Sequence, residues 1–421
     1  MARGLWLRAT VMAGMGLLVV SSAAREPRIN GQLTLRTGLE NVATDSFRFP
    51  LAGGSAWDAS VELRLNSEVR ANRRDRFTLH YEAIARKQEW DPDRMGAAGP
   101  LTGGAVPDDR RRFFDLTRTF HEENGEVAYH RLDRLVWERA AEWGILAVGR
   151  TAVTWGNGLV FNPMDLFNPF APTDVERDYK RGDDMVHLTL YPADWNGNLG
   201  WQLLFVPRRD AAGGDPAMRE SSVALKTHFF TGESEWNLLA AWHYDEAVLG
   251  IGHIGYLGDA VWRADATLTF TGDGPTFFSG VVNIDRSWTW KEMNGYGSLE
   301  FHYNTYGTGD YGGLDREEAL LERLSRGEIH TLGRAYLASS LRVELHPLLN
   351  AYLTSLANLE DPSAVLLPRL VWNARQDLDL TLGGSLPLGG RGTEFGGLPV
   401  PGTRRFLKAP DRFYLWVKGY F

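Results

Sequence analysis

The most distinctive charged stretch of the chain lies between positions 149 and 184 and contains TWGNGLVFNPMDLFNPFAPTDVERDYKRGDD. Because rings of fixed charge set ion selectivity in pores, this stretch is a candidate for a charged filter. The alternative is a solvated loop whose charges pair with one another, and the sequence leaves both open. The candidate residues are Arg150, Trp155, Asn162, Asp165, Asn168, Asp174, Arg177, Lys180, Arg181, Asp183 and Asp184.

Catalytic chemistry has little support in the sequence. Neither HExxH nor G-x-S-x-G occurs, and the histidines that could serve a lipase are scattered over separate segments. His121-Glu122-Glu123 is a lone cluster and a weak metal site. The absence of cysteine excludes a thiol nucleophile, Cys-ligated zinc and covalently attached c-type haem. We therefore predict no enzyme activity, no cofactor and no metal site.

The same stretch carries a repeated Phe-Asn-Pro motif, at Phe161 and again at Phe167. A residue before proline favours an extended or turn conformation. With Trp155 and Phe170 added, the stretch is too apolar for a free loop in water. We expect residues 154–183 to fold back inside the protein as a constriction loop.

The elements around this loop show a period of two. Between Asp58 and Val69 the odd positions are apolar or small and the even positions polar, as in a strand with one apolar and one charged face. Similar runs are long enough for a tilted membrane strand, which needs about 9 to 11 residues. The polar positions expected to face the interior are Glu62, Arg64, His80, Glu82, Arg86, Arg263, Asp265, Glu300, Arg342 and Glu344. They could form a polar track, but interstrand ion pairs that stiffen the wall are favoured.

Connections between these strands are sorted by length. Counting about 18 strands, with 16 as the alternative, the long connections all follow odd-numbered strands, as in a barrel with short periplasmic turns and long outer loops. The chain contains 15 tryptophans, 14 tyrosines and 20 phenylalanines, which would suit two interfacial girdles. The pattern predicts an all-β fold, a transmembrane antiparallel β-barrel with an inward-folded loop.

The N-terminus has the layout of a secretory signal. Residues 1–24 combine Arg3 and Arg8 with an apolar run and a small-residue site at Ser22-Ala23-Ala24, so the barrel is expected to span 25–421. Beyond it, no run approaches the ~18 apolar residues of a membrane helix. The net charge of −8, without a basic block, argues against nucleic acid as a partner.

The C-terminus alternates toward a final aromatic residue and resembles the signal recognised by the outer-membrane assembly machinery. Gly419 departs from that pattern. Outer-membrane lipid and the barrel assembly machinery are therefore the expected partners. The residues of this signal are Phe413, Leu415, Val417 and Phe421.

A family resemblance rests on the 149–184 stretch. The chain resembles alginate-export-type outer-membrane porins and a related, little-characterised barrel family. The resemblance implies a monomeric barrel near 18 strands with an inward loop. The resemblance does not imply alginate as the solute. An exporter of a polyuronate needs a strongly basic lumen, whereas the polar face predicted here carries both positive and negative side chains. The matching residues are Gly149-Arg150, Trp155-Gly156, Gly158, Phe161-Asn162-Pro163, Asp165 and Asn168-Pro169.

Three functions remain open from the sequence. The first is an outer-membrane channel for polar solutes, or the outer-membrane barrel of an export system with periplasmic or inner-membrane partners. The second is a surface barrel that binds or anchors glycan through loop aromatics such as Trp90, Phe113, Phe114 and Tyr311. The third is the barrel sheath of a multi-protein conduit.

Overall fold

The computed structural model describes residues 28–89, 107, 109–167, 169–174, 179–192, 198–210, 212, 214–272 and 274–421. The predicted signal peptide therefore lies outside the described residues. Helix is confined here to α1 (Phe49–Ala52), a 3₁₀ turn at Tyr311–Arg316 and α2 (Glu318–Arg326). Within these ranges, no helix has the length and apolar character needed to cross a membrane.

Strands make up most of the described chain, because the alternating segments are rich in residues that suit a pleated surface. In chain order they are β1 (Arg28–Asn41), β2 (Ser55–Arg70), β3 (Asp75–Gln88), β4 (Thr117–Glu123), β5 (Glu126–Ala141), β6 (Gly144–Thr151), β7 (Asp183–Leu190), β8 (Leu199–Val206), β9 (Ser222–Thr231), β10 (Ser234–His243), β11 (Glu246–Leu257), β12 (Ala260–Phe270), β13 (Thr276–Trp290), β14 (Met293–Asn304), β15 (Ala335–His346), β16 (Leu349–Asn358), β17 (Ser363–Arg375), β18 (Leu378–Leu388), β19 (Leu398–Pro399), β20 (Phe406–Leu407) and β21 (Asp411–Tyr420).

A closed antiparallel barrel contains all of the described strands except β4, β19 and β20. Closure occurs where β21 pairs with both β18 and β1, and backbone hydrogen bonds of 2.8 and 3.0 Å join Gly31 to Phe421. The barrel thus has eighteen strands within the described part of the chain, and the predicted count and fold class are confirmed. Each of these eighteen described strands pairs with a neighbour on both sides, as a lipid environment requires.

Long and short connections lie at opposite ends of the barrel. Those after β1, β3, β6, β8, β14 and β18 are long and share one end, here called the loop end. At the opposite, turn end, adjacent strands are joined more tightly, as at 71–74 and 232–233. The predicted sorting of the connections is confirmed. The loop after β14 contains α2, which ends at Gly327 with φ +72°, a conformation that glycine adopts without strain.

The outer face of the barrel is apolar. On β2, Val61 is 45% exposed while its neighbours Glu62 and Arg64 are buried on the inner side, as the alternation predicts. Exposed aromatic rings gather near both ends of the wall, which is where such rings sit in membrane barrels. Near the loop end they are Trp57, Trp242, Phe270, Phe278, Tyr303 and Phe413, and near the turn end Phe77, Trp143, Trp201, Phe230, Trp288, Trp290, Trp372 and Phe421.

The largest hydrophobic cluster lies inside the barrel. It joins the connection between β6 and β7, residues 152–182, to an apolar patch on the inner face of β8 to β10. A second cluster joins the same connection to the inner face of β13 to β17. The predicted inward-folded loop is therefore part of the core, and it divides the lumen.

Candidate functional site

The inward loop, residues 152–182, is held at its start by apolar packing. Trp155, Met164 and Phe167 are almost fully buried against Leu204 and Leu239 of the wall. The Trp155 and Phe167 rings meet edge to face with centroids 5.6 Å apart. The indole Nε1 of Trp155 donates a 2.5 Å hydrogen bond to Gln202 of β8, so the ring is satisfied as well as packed.

Two lumen carboxylates hold the middle of the loop. Asp265 of β12 accepts hydrogen bonds from the backbone N–H (2.5 Å) and side-chain amide (2.7 Å) of Asn157. Gly156 precedes this contact at φ +98°, where a side chain would be strained. Glu300 of β14 holds the next residues, and it is 1% exposed.

Glu300 binds three consecutive backbone N–H groups of the loop. These come from Leu159 at 2.6 Å, Val160 at 3.0 Å and Phe161 at 2.7 Å. A fourth hydrogen bond, of 3.1 Å, comes from the amide of Asn283. A buried carboxylate is tolerated when its oxygens are hydrogen-bonded in this way, so Glu300 fixes the tip of the loop.

A buried ion pair closes the base of the loop. The Lys180 ammonium lies 2.5 and 2.6 Å from the two oxygens of Asp165 and donates a 2.5 Å bond to the carbonyl of Val153. Burial raises the pKa of Asp165 to about 6, against the opposing attraction of Lys180. Burial likewise lowers the pKa of Lys180. The pair therefore titrates much nearer neutrality than an exposed carboxylate would.

Some of the predicted filter residues hold the inward loop against the barrel wall. Trp155, Asp165 and Lys180 are buried in it, and Asn162 exchanges hydrogen bonds with Gly158 inside the loop. Asp174 is exposed. Asn168 and Arg177 lie outside the described residues.

Other predicted filter residues lie away from the lumen opening. Arg150 and Asp184 are opposed to each other and share a side of the sheet with the exposed Val148 and Val186. Their side chains are buried beneath residues 109–116, where Arg150 also binds Asp109 at 2.9 Å. Asp183 instead pairs with Arg208 at 2.8 Å. Sequence spacing could not distinguish these positions, because the covering segment is far away in the chain.

A buried Ser–His–Glu cluster has the residue types of a catalytic triad. Ser222 lies 2.8 Å from Nδ1 of His243, and Nε2 of His243 lies 3.4 Å from Glu328. Ser222 is 1% exposed and also accepts a 2.8 Å hydrogen bond from Arg208. A substrate could not reach this hydroxyl, so the cluster serves to join the loop after β14 to the wall.

The inner wall of β1 to β5 is charged, and the end of the inward loop lies against it. Arg64 and Arg131 both pair with Glu82, and the Arg64 guanidinium lies 3.7 Å from the centre of the Tyr179 ring. Arg181 is exposed beside them and forms no ion pair with any residue that the structure describes. A cavity of about 210 Å³ opens between these side chains. Its lining is Gln32, Arg36, Glu62, Arg64, Glu82, Ile84, Pro107, Tyr129, Arg131, Tyr179 and Arg181.

The remaining predicted lumen residues also lie on inner faces of the wall. His80 meets the Tyr179 ring edge-on at 5.7 Å, and Arg86 is opposed to Ser60. Arg263 pairs with Asp285, and Glu344 accepts a 3.2 Å hydrogen bond from Asn294. Arg342 lines a second cavity, of about 320 Å³, between the loop tip and β14 to β17.

Sequence reasoning missed several residues that line these cavities, including Tyr179, Tyr296, Tyr352 and Arg369. Tyr296, Tyr352 and Arg369 do lie at polar positions of alternating strands. Their association with Arg342 depends on strand register, which one sequence does not contain.

Solved porin structures share this fold. OccAB2 of Acinetobacter baumannii matches with a TM-score of 0.53 at 10% identity, over 94% of this chain and 98% of that one. A BenF-like porin from Pseudomonas fluorescens Pf-5 matches with a TM-score of 0.52 at 10% identity, over 94% and 99%. OccK2 (OpdF) of Pseudomonas aeruginosa, in complex with glucuronate, matches with a TM-score of 0.52 at 11% identity, over 94% and 98%.

No family profile and no curated relative matches the chain. At identities near 10% the likeness to solved structures establishes the fold alone. That fold is the outer-membrane porin barrel. The exposed apolar outer face and its aromatic girdles agree with an outer-membrane location.

Proposed function

We propose that the protein is a channel that passes small polar solutes across the outer membrane. The observation that carries the proposal is the division of the lumen. The inward loop packs on the inner wall through two apolar clusters, while charged and polar side chains line cavities of about 210 and 320 Å³ between the loop and the wall. An eighteen-stranded barrel is wide enough for water beside such a loop.

The charge around the smaller cavity favours anions. Four arginines, Arg36, Arg64, Arg131 and Arg181, line it with two acids, Glu62 and Glu82. A positive excess in a narrow lumen attracts anions and repels cations. One structural neighbour is described in complex with glucuronate, a small acidic solute, and this supports the same solute class here. We therefore extend the proposal to a preference for small anions.

Conductance of the refolded protein tests the channel. The mature chain, from residue 25, is refolded in detergent, its folded state is verified by heat-dependent migration on a gel, and it is added to planar bilayers. We expect discrete current steps that scale with salt concentration. A folded barrel that inserts and gives no steps, in bilayers where a known porin conducts, would refute the channel.

We also propose a relationship to one type of porin and a set of partners for the barrel. The WGxG and FNPxDxFNP residues support a relationship to the alginate-export type in loop design. Glu62, Glu82 and Asp133 among the arginines argue against a long polyanion as solute. We propose outer-membrane lipid around the apolar face and the barrel assembly machinery at Phe413, Leu415, Val417 and Phe421 as partners. Export partners in the periplasm would be revealed by cross-linking at the turn end.

A further inference from the structure

Four residues form a row across the inner wall that alternates phenol rings and guanidinium groups. Tyr296 of β14 is opposed to Arg342 of β15, Arg342 to Tyr352 of β16, and Tyr352 to Arg369 of β17. Directly opposed residues of an antiparallel sheet point to the same face, and neighbouring strands lie about 5 Å apart. The row therefore offers a ring and a cation at each successive step.

The inward loop supplies the opposite side of this row. The cavity of about 320 Å³ is bounded by the row on the wall and by Leu159, Val160 and Pro172 of the loop. Leu367 adds a further apolar surface, and Ser340, Thr354 and Asp174 add polar ones. The volume is at the lower end of the range for small-molecule sites, which suits a single ring.

The two arginines differ in their surroundings. The Arg369 guanidinium stacks over Tyr352, 4.5 Å from the ring centre. Arg342 is exposed to the cavity, donates a 3.1 Å hydrogen bond to Asn350 and forms no ion pair among the described residues. A guanidinium presents a planar fork that matches a carboxylate, so Arg342 is available to bind one.

We propose that this Tyr–Arg row is a binding subsite for a small cyclic organic anion. The carboxylate would pair with Arg342, and the ring would lie between Tyr352 and the apolar loop surface of Leu159 and Pro172. The subsite rests on the proposed function, because the solute must enter through the lumen. It adds a requirement for both a ring and a charge, which anion preference alone does not contain.

Current block by three matched probes tests the subsite. Cyclohexanecarboxylate has the ring and the charge, acetate has the charge alone, and cyclohexanol has the ring alone. We expect cyclohexanecarboxylate to block single-channel current at concentrations about tenfold lower than either other probe, the fold-change of one charge-assisted hydrogen bond. Arg342→Gln should remove this advantage, whereas Arg118→Gln, which removes the same charge from a side chain on β4 that is 71% exposed, should retain it.

Each other outcome overturns the subsite. Equal block by acetate would mean a simple anion filter, and equal block by cyclohexanol would mean that Arg342 binds no carboxylate. An advantage that survives Arg342→Gln would place the site elsewhere. If the folded barrel passes no current, the channel fails, but saturation-transfer NMR of the same refolded chain with the three probes still decides the subsite. Binding of cyclohexanecarboxylate that Arg342→Gln abolishes would support it there, and equal or absent binding would refute it.

Discussion

The carboxylate of Glu300, in the barrel wall, accepts a 2.7 Å hydrogen bond from the backbone N–H of Phe161, at the tip of the inward loop. Two further N–H groups, of Leu159 and Val160, bind the same carboxylate. These contacts join a wall strand to a loop about 140 residues earlier in the chain. The position of the loop is thus set by the wall as much as by the loop itself.

Glu300→Gln should loosen the loop tip. An amide offers one acceptor oxygen and turns a donor toward the loop N–H groups, and each buried group left unsatisfied costs about 1–3 kcal/mol. We expect noisier single-channel current with excursions to larger conductance. The readout is the current variance of the open channel at fixed voltage.

Glu344→Gln is the matched control for this change. It removes the same charge from the next strand of the lumen wall, where Glu344 accepts a 3.2 Å hydrogen bond from Asn294 rather than from the loop. Its current variance should stay at the level of the unaltered protein. If both variants become equally noisy, loss of lumen charge rather than loss of the loop contact is responsible.

Lys180→Met should make the loop sensitive to pH. At pH 7.5 docking in the variant must either bury an ionised Asp165 without its ammonium partner or take up a proton, and both are unfavourable, so the loop should detach more often. At pH 5 the carboxyl takes up a proton more readily, so this penalty is smaller. We expect large current noise at pH 7.5 that falls at pH 5 in the same salt.

The unaltered protein should respond in the same direction but less. The pKa of Asp165 in the docked loop is about 6, above its ordinary value of 3.8, so docking binds a proton and is strengthened as pH falls between these values. Asp165→Asn lacks the titrating group and should lose this response. A pH response that persists in Asp165→Asn would assign it to another group.

Much of the barrel can be predicted from the sequence because its signal is local. Each strand carries its own alternation, as between Val61 and Glu62, and the two faces meet lipid and water independently of which strand lies beside them. The aromatic content of the 154–183 stretch similarly required a buried position, and the structure provides one against the inner wall.

The surroundings of individual side chains could not be predicted in this way, because they depend on strand register and on segments far away in the chain. Arg150 and Asp184 have the same residue types as a filter, but residues 109–116 cover them. The Tyr–Arg row exists only because positions 296, 342, 352 and 369 come into one register. Pairings of this kind are set by turns and packing along the whole sheet, so a single sequence does not reveal them.

Arg181→Gln should reduce the preference for anions. Arg181 is exposed in the smaller cavity and, among the described residues, has no ion-pair partner, so its charge acts on solutes rather than on the wall. In a salt gradient the reversal potential should move toward zero, with the anion-to-cation permeability ratio falling roughly twofold or more. Arg118→Gln removes the same charge from the outer side of β4, where the side chain is 71% exposed, and should leave the ratio unchanged. Equal shifts in both variants would exclude a local filter at Arg181.

Gly31→Val should weaken closure of the barrel. A Cβ atom at Gly31 would lie 2.5 Å from the Phe421 ring and 2.9 Å from the backbone carbonyl of Arg64. The ring could move only by disturbing the two backbone hydrogen bonds that join β1 to the C-terminus. Overpacking of this kind costs about 1–3 kcal/mol, so the urea midpoint of the refolded barrel should fall.

Gly54→Val provides the comparison for closure, because a Cβ there meets nothing nearer than the Phe49 ring at 3.8 Å. Its urea midpoint, followed by heat-dependent gel migration, should match that of the unaltered barrel. If Gly31→Val also matches, the space beside Phe421 is not a constraint on closure. Since β21 is the last strand and β1 the first, a selective loss at Gly31 would show that joining them limits the stability of the whole wall.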